Sequence, residues 1–518
     1  MNVILQAESA TASPAGIRAI GLVGTGVMGR GVAQLFAAKG FEVLLFDIDP
    51  AQARDAVATV AGIIDRECAK GRMSADEATK AKARLTPVSG LDAFAGVGLV
   101  IEAIAEDLTA KQELFAALEK IVPAACILAT NTSSLLVTAI AAKARMPERV
   151  CGMHFFNPVP LMKVAEVIAG VRTSPDVARK VAEIVQATGH TPVIAADMPG
   201  FLINHAGRGL YTEGLRIVSE GIAPVEDVDL VLREGVGFRM GPFELFDLTG
   251  LDVSYKVLTQ IYHQFFEEPR YRPQPLAARQ YSAGLFGRKV GRGFYRYKDG
   301  KPVLASPAPA QSYESRPIWI DATSNQHTGR IRKLFEGLGI PVASGQQPDA
   351  DCIIVVAPIG HDATTAAIRG GFDPKRTLAI DPLFCDSGRL TVMTTPVTRP
   401  DYRDSLCGAL NEAGAQTTVI RDSAGFIGQR TVATIVNIAC DIAQQRIASP
   451  RDIDIGVKLG LGYPSGPLAM GDRIGARVVL EILEAMHEFY ADPRYRPSPW
   501  LKRRALLGVS LATEEVCQ

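Results

Sequence analysis

The chain reads as α/β plus all-α. A doubly wound sheet comes first, then a helical domain, a degenerate α/β segment and a second copy of the helical domain. Three observations predict this. Strand-like and helix-like apolar patterns alternate through the first two hundred residues, as in a sheet covered on both faces. The character changes after Pro199-Gly200, where apolar residues recur at helical spacing to about residue 285. Finally, markers of that helical stretch return 225 positions later: Gly200-Phe201 matches Gly425-Phe426, Asp227 and Asp229 match Asp452 and Asp454, and Gly241-Pro242 matches Gly466-Pro467.

Taken in order, Ile17 to Val23 is a short apolar run ending in glycines, a buried strand. Gly26 to Lys39 has Val27, Met28, Val32, Leu35 and Phe36 at helical spacing, and Gly40 stops it. Val43 to Phe46 is a second strand, ended by Asp47. Helices follow over Asp49 to Lys70, Ser74 to Lys82 and Leu108 to Ile121, with strands at Leu99 to Glu102, Ile127 to Thr130 and Val164 to Ile168. Pro158 and Pro160 forbid a helix between His154 and the last of these. The stretch Pro302 to Pro317, rich in Pro and Ser, is the clearest linker. The expected domains are 16–198, 199–300, 316–420 and 421–518.

The repeat extends to Pro175-Asp176 against Pro400-Asp401, Asp247 against Asp472, Gly250 against Gly475, and Pro-Arg-Tyr-Arg-Pro at 269–273 against 493–497. The polar residues of the first half are not repeated. His154 falls on Ala379, Glu166 on Thr391 and Asn204 on Gln429. Residues 318 to 420 keep α/β patterning (Cys352 to Val356, Leu378 to Ile380) without a glycine loop, so one chain is expected to hold one site.

Bulk numbers exclude several classes. At 518 residues the chain exceeds a single core. Its 55 basic and 55 acidic residues cancel, giving no footprint for nucleic acid. The eight cysteines are scattered, with no CxxC and no metal-ligand spacing, which points to a reducing compartment and no metal. The first fifteen residues read as a loose tail rather than a targeting signal, and no apolar run is long enough for a bilayer. The expectation is a cytoplasmic protein.

Chemistry concentrates in two places. Gly24, Gly26 and Gly29 form GxGxxG between a strand and a helix: the first glycine makes the tight turn, the second lets backbone approach a pyrophosphate, and the third lets helix and strand pack closely. The helix N-terminus adds N–H groups and dipole, so the first domain is Rossmann-type. Asp47, at the end of the next strand, is placed for a ribose 2′-hydroxyl and would repel a 2′-phosphate, favouring NAD over NADP. The second place is His154-Phe-Phe-Asn-Pro-Val-Pro-Leu-Met-Lys-Val-Ala-Glu166. Oxidising an alcohol by hydride transfer needs a base near neutral pKa, for which imidazole suits, and a carboxylate to fix its tautomer. Ser133, in Asn131-Thr132-Ser133-Ser134 after a strand, could donate to a substrate oxygen or merely cap a helix. Asn204, about one turn into the next domain, carries the same two readings.

The segments VGTGVMGRGVAQLFAAKGFEVLLFDID, IEAIAEDLTAKQELF, NTSSL, HFFNPVPLMKVAEVI, PGFLIN and GRKVGRGFYRY, in this order over about 280 residues, resemble the 3-hydroxyacyl-CoA dehydrogenase family. The resemblance implies His154 as catalytic base, Glu166 as its partner, and substrate contacts from Ser133 and Asn204. It implies NAD contacts from Asp47, Glu106, Lys111, Ser133, Asn157 and Lys289. Lys70 matches a position that contacts coenzyme A, and reads equally as a solvated lysine. Two departures stand out. His205 replaces the family's usual Arg after PGF-x-x-Asn, and the chain adds a duplicated half. Long members of this kind are associated with aromatic-acid breakdown and oxidation of 3-hydroxyadipyl-CoA; 3-hydroxybutyryl-CoA or a fatty-acid β-oxidation intermediate is the alternative. Simple members pair through their helical domains, so the second copy is expected to fill a sister subunit's place, an intrachain pseudo-dimer, with a homodimer of whole chains left open. The rivals are a β-hydroxyacid dehydrogenase, whose lysine motif has no match here, and a non-catalytic NAD-binding protein.

Overall fold

Eight short strands, most of them apolar on both faces, build the first sheet of the computed structural model, which describes residues 16–303, 313–321 and 327–515. They are β1 (Ala19–Val23), β2 (Glu42–Phe46), β3 (Leu85–Val88), β4 (Leu99–Glu102), β5 (Ile127–Thr130), β6 (Val150–Phe155), β7 (Val164–Ala169) and β8 (Thr191–Ala196), in the order β3-β2-β1-β4-β5-β6-β7-β8. The helices of this region are α1 (Val27–Ala38), α2 (Pro50–Ala69), α3 (Ala75–Ala83), α4 (Leu108–Leu118), α5 (Val137–Ala141) and α6 (Pro175–Ala187). Burial of Ile20, Leu22, Val43, Leu45, Leu99 and Ile101 against Val32, Phe36, Val60 and Ile64 makes one continuous core. Local signals set the ends. Asp49 caps α2, and Ser74 with Glu77 forms a reciprocal capping box on α3. The N-terminal tail and most of the expected linker, residues 304–312, lie outside the described residues.

One feature departs from a doubly wound parallel sheet. β6 and β7 run antiparallel, joined by the proline-rich turn 156–163, and their register sets His154 directly opposite Glu166.

The contacts divide the chain into two compact units. Residues 16–202 with Ile447–Gly460 form the first, and the Ala196 amide at the end of β8 donates to the Ile447 carbonyl (2.7 Å). The second unit takes the rest. It opens with α7 (Ile203–Ala206) and α8 (Arg208–Ser219), carries the small hairpin β9 (Tyr297–Lys298) and β10 (Lys301–Pro302), and holds a five-stranded sheet. That sheet is β11 (Ile318–Ile320), β12 (Ile353–Val356), β13 (Thr377–Ile380), β14 (Arg389–Thr394) and β15 (Gln416–Ile420), in sequential order with β13 and β14 antiparallel.

The repeat therefore reaches further than its sequence markers. β14 lies 225 positions after β7, the helix Pro400–Glu412 the same distance after α6, and Pro467–Ile474 after Pro242–Thr249. The five strands reproduce β4 to β8, including the antiparallel junction. β1 to β3 and their glycine loop have no counterpart among the described residues. The antiparallel partners in this copy are Ala379 and Met393, neither of which can exchange a proton.

Within the second unit the two helical copies pack α8 along the helix Ile427–Gln444 so closely that a Cβ on Gly209 would stand 3.0 Å from the Ile435 Cα. Charged side chains cross between them, and the Arg496–Glu268 and Arg272–Asp492 contacts are reciprocal. Arg270 reaches Asp441 (2.7 Å), while Arg494 reaches Glu213 (3.9 Å). Arg496 pairs with Glu268 (2.8 Å), while Arg272 approaches Asp492 (3.8 Å). Buried Arg430 bonds Glu213, Glu220, Ser423, Tyr490 and Tyr495.

Candidate active site

The glycine loop is shaped by steric necessity. Gly24 has φ +94°, and a Cβ there would stand 2.5 Å from the Ala103 carbonyl oxygen; one on Gly29 would stand 2.0 Å from the Gly24 oxygen. Gly26 faces open space and starts α1 with no side chain capping it. The first N–H groups of α1 are thus presented without a capping side chain, a cradle that fits a dinucleotide pyrophosphate. Asp47 stands at the end of β2, where one carboxylate oxygen accepts from both the amide and the hydroxyl of Thr25 (2.8 Å each). Burial pushes its pKa up, but these Thr25 bonds win and hold the carboxyl below its usual value, so it stays charged. Thr25 was not singled out from sequence. Only the fold shows that the residue between two loop glycines braces Asp47.

A second polar cluster stands past the ends of β4 and β5. Glu102, fully buried, accepts from the Lys111 ammonium (2.5 Å), the Thr130 hydroxyl (2.6 Å) and the Ile104 amide (2.7 Å). Lys111, itself 1% exposed, also approaches Glu106 (3.3 Å). Glu106 accepts from the Thr132 and Ser134 hydroxyls (2.6 and 2.7 Å) and from the Ser133 and Ser134 amides (3.1 and 3.0 Å). Burial raises its pKa, and the Thr132 hydroxyl, the Lys111 charge and the Ser134 hydroxyl more than offset that, leaving it lowered. The Asn-Thr-Ser-Ser loop is thereby tied to the end of β4. Sequence pattern gave Lys111 no partner; the buried Glu102 is what accounts for it.

His154 and Glu166 meet across the antiparallel junction at 2.6 Å (Nδ1 to Oε2), both buried. The carboxylate fixes the tautomer with Nδ1 protonated, leaving Nε2 as the ring atom that can take a proton. Glu166 is held in turn: its other oxygen accepts from the Leu202 amide (2.9 Å). Rings flank the imidazole, Phe156 at 4.4 Å and Phe201 at 5.8 Å between centroids. The Asn131 side chain accepts from the Phe155 amide (2.8 Å), linking the serine loop to the histidine strand.

Asn157, Lys70, Asn204 and Lys289 are the remaining expected residues. Asn157 is exposed, with a cis bond to Pro158. Lys70 is exposed at the C-terminus of α2. Asn204 and Lys289 belong to the second unit. The Asn204 carbonyl accepts from Arg208 Nε (2.7 Å), and Lys289 pairs with Asp252 (2.5 Å). His205, the departure after the PGF motif, is fully buried and bonded to the Tyr271 hydroxyl (2.6 Å). Its counterpart in the second copy is Arg430, whose contact to Tyr495 mirrors it.

Comparison with known proteins accords with this arrangement. Residues 19–198 match the NAD-binding domain of 3-hydroxyacyl-CoA dehydrogenase, and the C-terminal domain of the same family matches twice, at 200–297 and 425–513. The 3-hydroxyadipyl-CoA dehydrogenase of Escherichia coli K12 is 33% identical over 95% of this chain and 98% of its own length. A probable 3-hydroxybutyryl-CoA dehydrogenase of Bacillus subtilis is 39% identical, over 55% of this chain and 98% of its own. A crystal structure titled 3-hydroxybutyryl-CoA dehydrogenase from E. coli K12 superposes with a TM-score of 0.84 at 33% identity, over 95% of this chain and 98% of that one. A glycine cradle for a dinucleotide, a strand pair that presents an imidazole, and relatives that share both halves give one answer: the chain belongs to the 3-hydroxyacyl-CoA dehydrogenase family and is an NAD-dependent oxidoreductase of 3-hydroxyacyl-CoA thioesters.

Proposed function

We propose that the chain oxidises (3S)-3-hydroxyadipyl-CoA to 3-oxoadipyl-CoA, with His154 as the base. The observation that carries the substrate choice is extent. The relative named for 3-hydroxyadipyl-CoA shares the duplicated half, whereas the B. subtilis 3-hydroxybutyryl-CoA relative ends after the first. The solved structure that spans the same length carries the butyryl name, so the acyl chain is decided by measurement.

In this reading bound NAD supplies the hydride acceptor. Gly24, Gly26, Gly29 and the start of α1 hold its pyrophosphate, and Asp47 its adenosine ribose. Glu106, Lys111, Ser133, Asn157 and Lys289 complete the cofactor contacts, with Lys111 acting through Glu106. His154 Nε2 takes the proton of the 3-hydroxyl as C3 is oxidised. Glu166 stabilises the imidazolium without taking the proton itself. Ser133 and Asn204 orient the substrate oxygens, and Lys70 contacts the coenzyme A portion. General-base catalysis of this kind contributes about 10²- to 10⁴-fold.

The two helical copies act as an intrachain pseudo-dimer. Reciprocal pairs support this reading, because a two-fold interface places residue i on j and j on i, as Arg496–Glu268 answers Arg272–Asp492. The chain works in the cytoplasm: none of the seven described cysteines is in a disulfide, and among the described residues no helix is long and apolar enough to cross a membrane.

NADH consumption with acetoacetyl-CoA and with 3-oxoadipyl-CoA tests the substrate. A kcat/KM at least about tenfold higher for 3-oxoadipyl-CoA, a difference of about 1.4 kcal/mol, supports the proposal. Preference for acetoacetyl-CoA overturns it.

A further inference from the structure

Arg208 is an anomaly of the second unit. It is 4% exposed, yet among the described residues no carboxylate lies within ion-pair distance of it. Its Nε donates to the Asn204 carbonyl (2.7 Å), and its guanidinium lies 5.3 Å from the centre of the Tyr211 ring. Burial pushes its pKa down, and the groups opposing that shift are two phenols, Tyr211 and Tyr463. A buried guanidinium normally has a carboxylate partner, because an uncompensated buried charge costs several kcal/mol. By contrast Arg430, equally buried in the same unit, has Glu213 and Glu220.

A second observation comes from the other helical copy. Tyr463 is also 4% exposed, and among the described residues its buried hydroxyl has no hydrogen-bond partner. Its counterpart 225 positions earlier is Phe238, against which its ring packs edge-on at 4.9 Å. The hydroxyl therefore exists in one copy only, and so does the arginine, since Arg208 corresponds to Ala433. The residue before Arg208 abuts the segment of Tyr463, since a Cβ on Gly207 would stand 3.3 Å from the Leu461 side chain, and a cation lacking an anion beside a phenol lacking an acceptor has the chemistry of a carboxylate receptor.

The receptor's position gives the carboxylate its identity. Arg208 follows Asn204 by four residues on continuous helical backbone (Gly207 φ −62°, ψ −16°), so the two side chains share a helix face about 6 Å apart along the axis. Asn204 is the residue assigned above to a substrate oxygen. A chain oxidised at C3 and bearing a carboxylate three carbons further would carry that group one helical turn on.

We propose that Arg208 and the Tyr463 hydroxyl form the receptor for a carboxylate at the far end of the acyl chain, making the enzyme selective for dicarboxylic 3-hydroxyacyl-CoA thioesters. This rests on the substrate reading above and names the residues behind it. It also gives the duplicated helical copy a part in specificity, because Tyr463 comes from that copy.

The test compares 3-oxoadipyl-CoA with 3-oxohexanoyl-CoA, which has the same length and no carboxylate. In the wild type the diacid is preferred. Arg208→Met lowers kcat/KM for 3-oxoadipyl-CoA by about 10- to 100-fold, the loss expected for a charge-assisted bond, and leaves 3-oxohexanoyl-CoA within about threefold. Tyr463→Phe, which keeps the ring, shifts the ratio the same way by a smaller factor and serves where Arg208→Met does not fold. If both variants keep the wild-type ratio, or both substrates fall together in each, the receptor assignment is overturned while the substrate reading stands. If the wild type turns over 3-oxohexanoyl-CoA as well as the diacid, the substrate reading fails first.

Discussion

An imidazole becomes a directed base when one nitrogen is pinned and the other faces the substrate, and Glu166 does the pinning with its own second oxygen fixed by the Leu202 amide. His154→Gln should therefore lose at least about a hundredfold in kcat while NADH still binds, as read by quenching or titration calorimetry. Retained turnover would move the base elsewhere. Glu106 supports a pH argument. Its pKa is lowered in the folded chain, so its stabilising effect is complete above the ordinary carboxylate pKa and lost as pH falls through the folded value. Urea unfolding followed from pH 7 down to about pH 3 should thus show less acid-side loss in Glu106→Gln than in wild type, because the window lies below the ordinary carboxylate pKa. Parallel curves would remove Glu106 from the cause. At this scale the sequence showed which residues carry chemistry, because their spacing is local and their types unusual. It hid those whose meaning depends on a distant partner. Thr25 matters through Asp47, Lys111 through Glu102, and Arg208 through a missing carboxylate that only packing reveals.

The pairing of His154 with Glu166 is made by an element, the antiparallel junction of β6 and β7. Side chains directly opposite in such a pair have Cβ atoms only about 4.5–5.5 Å apart, so the register itself delivers the hydrogen bond. Two prolines in the turn ruled out a helix from sequence alone. They left the strand direction open, since an otherwise parallel sheet gave no reason to expect a reversal. Gly152 locks the junction: a Cβ there would meet Ile168 at 2.8 Å and Val137 at 3.0 Å. Gly152→Val should cost about 1–3 kcal/mol by overpacking, and because His154 is two residues along the same strand, kcat should fall with it. A variant that loses stability yet keeps full kcat would show that the strand can shift without disturbing the pair.

Duplication explains the whole molecule best when its asymmetry is kept in view. The second copy retains β4 to β8 and the helices, yet it has exchanged His154 for Ala379 and Asn204 for Gln429, whose amide now bonds Asp381 and the Gly360 loop. The helical repeat was legible because turn residues and the Pro-Arg-Tyr-Arg-Pro segment recur in order. The α/β part was legible only as patterning over 318 to 420 and one Pro-Asp marker, because buried strands keep only their apolar character. What the second copy contributes is a partner face, and Arg430 is its anchor. Fully buried with Glu213 of the first copy at 2.7 Å, it should cost about 3–5 kcal/mol when replaced by Met, the penalty for stranding a buried carboxylate. Arg496→Met, whose pair with Glu268 is partly exposed, should cost no more than about 1 kcal/mol. Replacing Arg430 and Glu213 together by Met and Leu should recover much of the single loss, because the double variant leaves neither charge unpaired. Chemical unfolding of the four proteins reads these differences. A single Arg430→Met cost as small as that of Arg496→Met would mean that the two copies are held together by apolar packing alone, with the buried charge network contributing little.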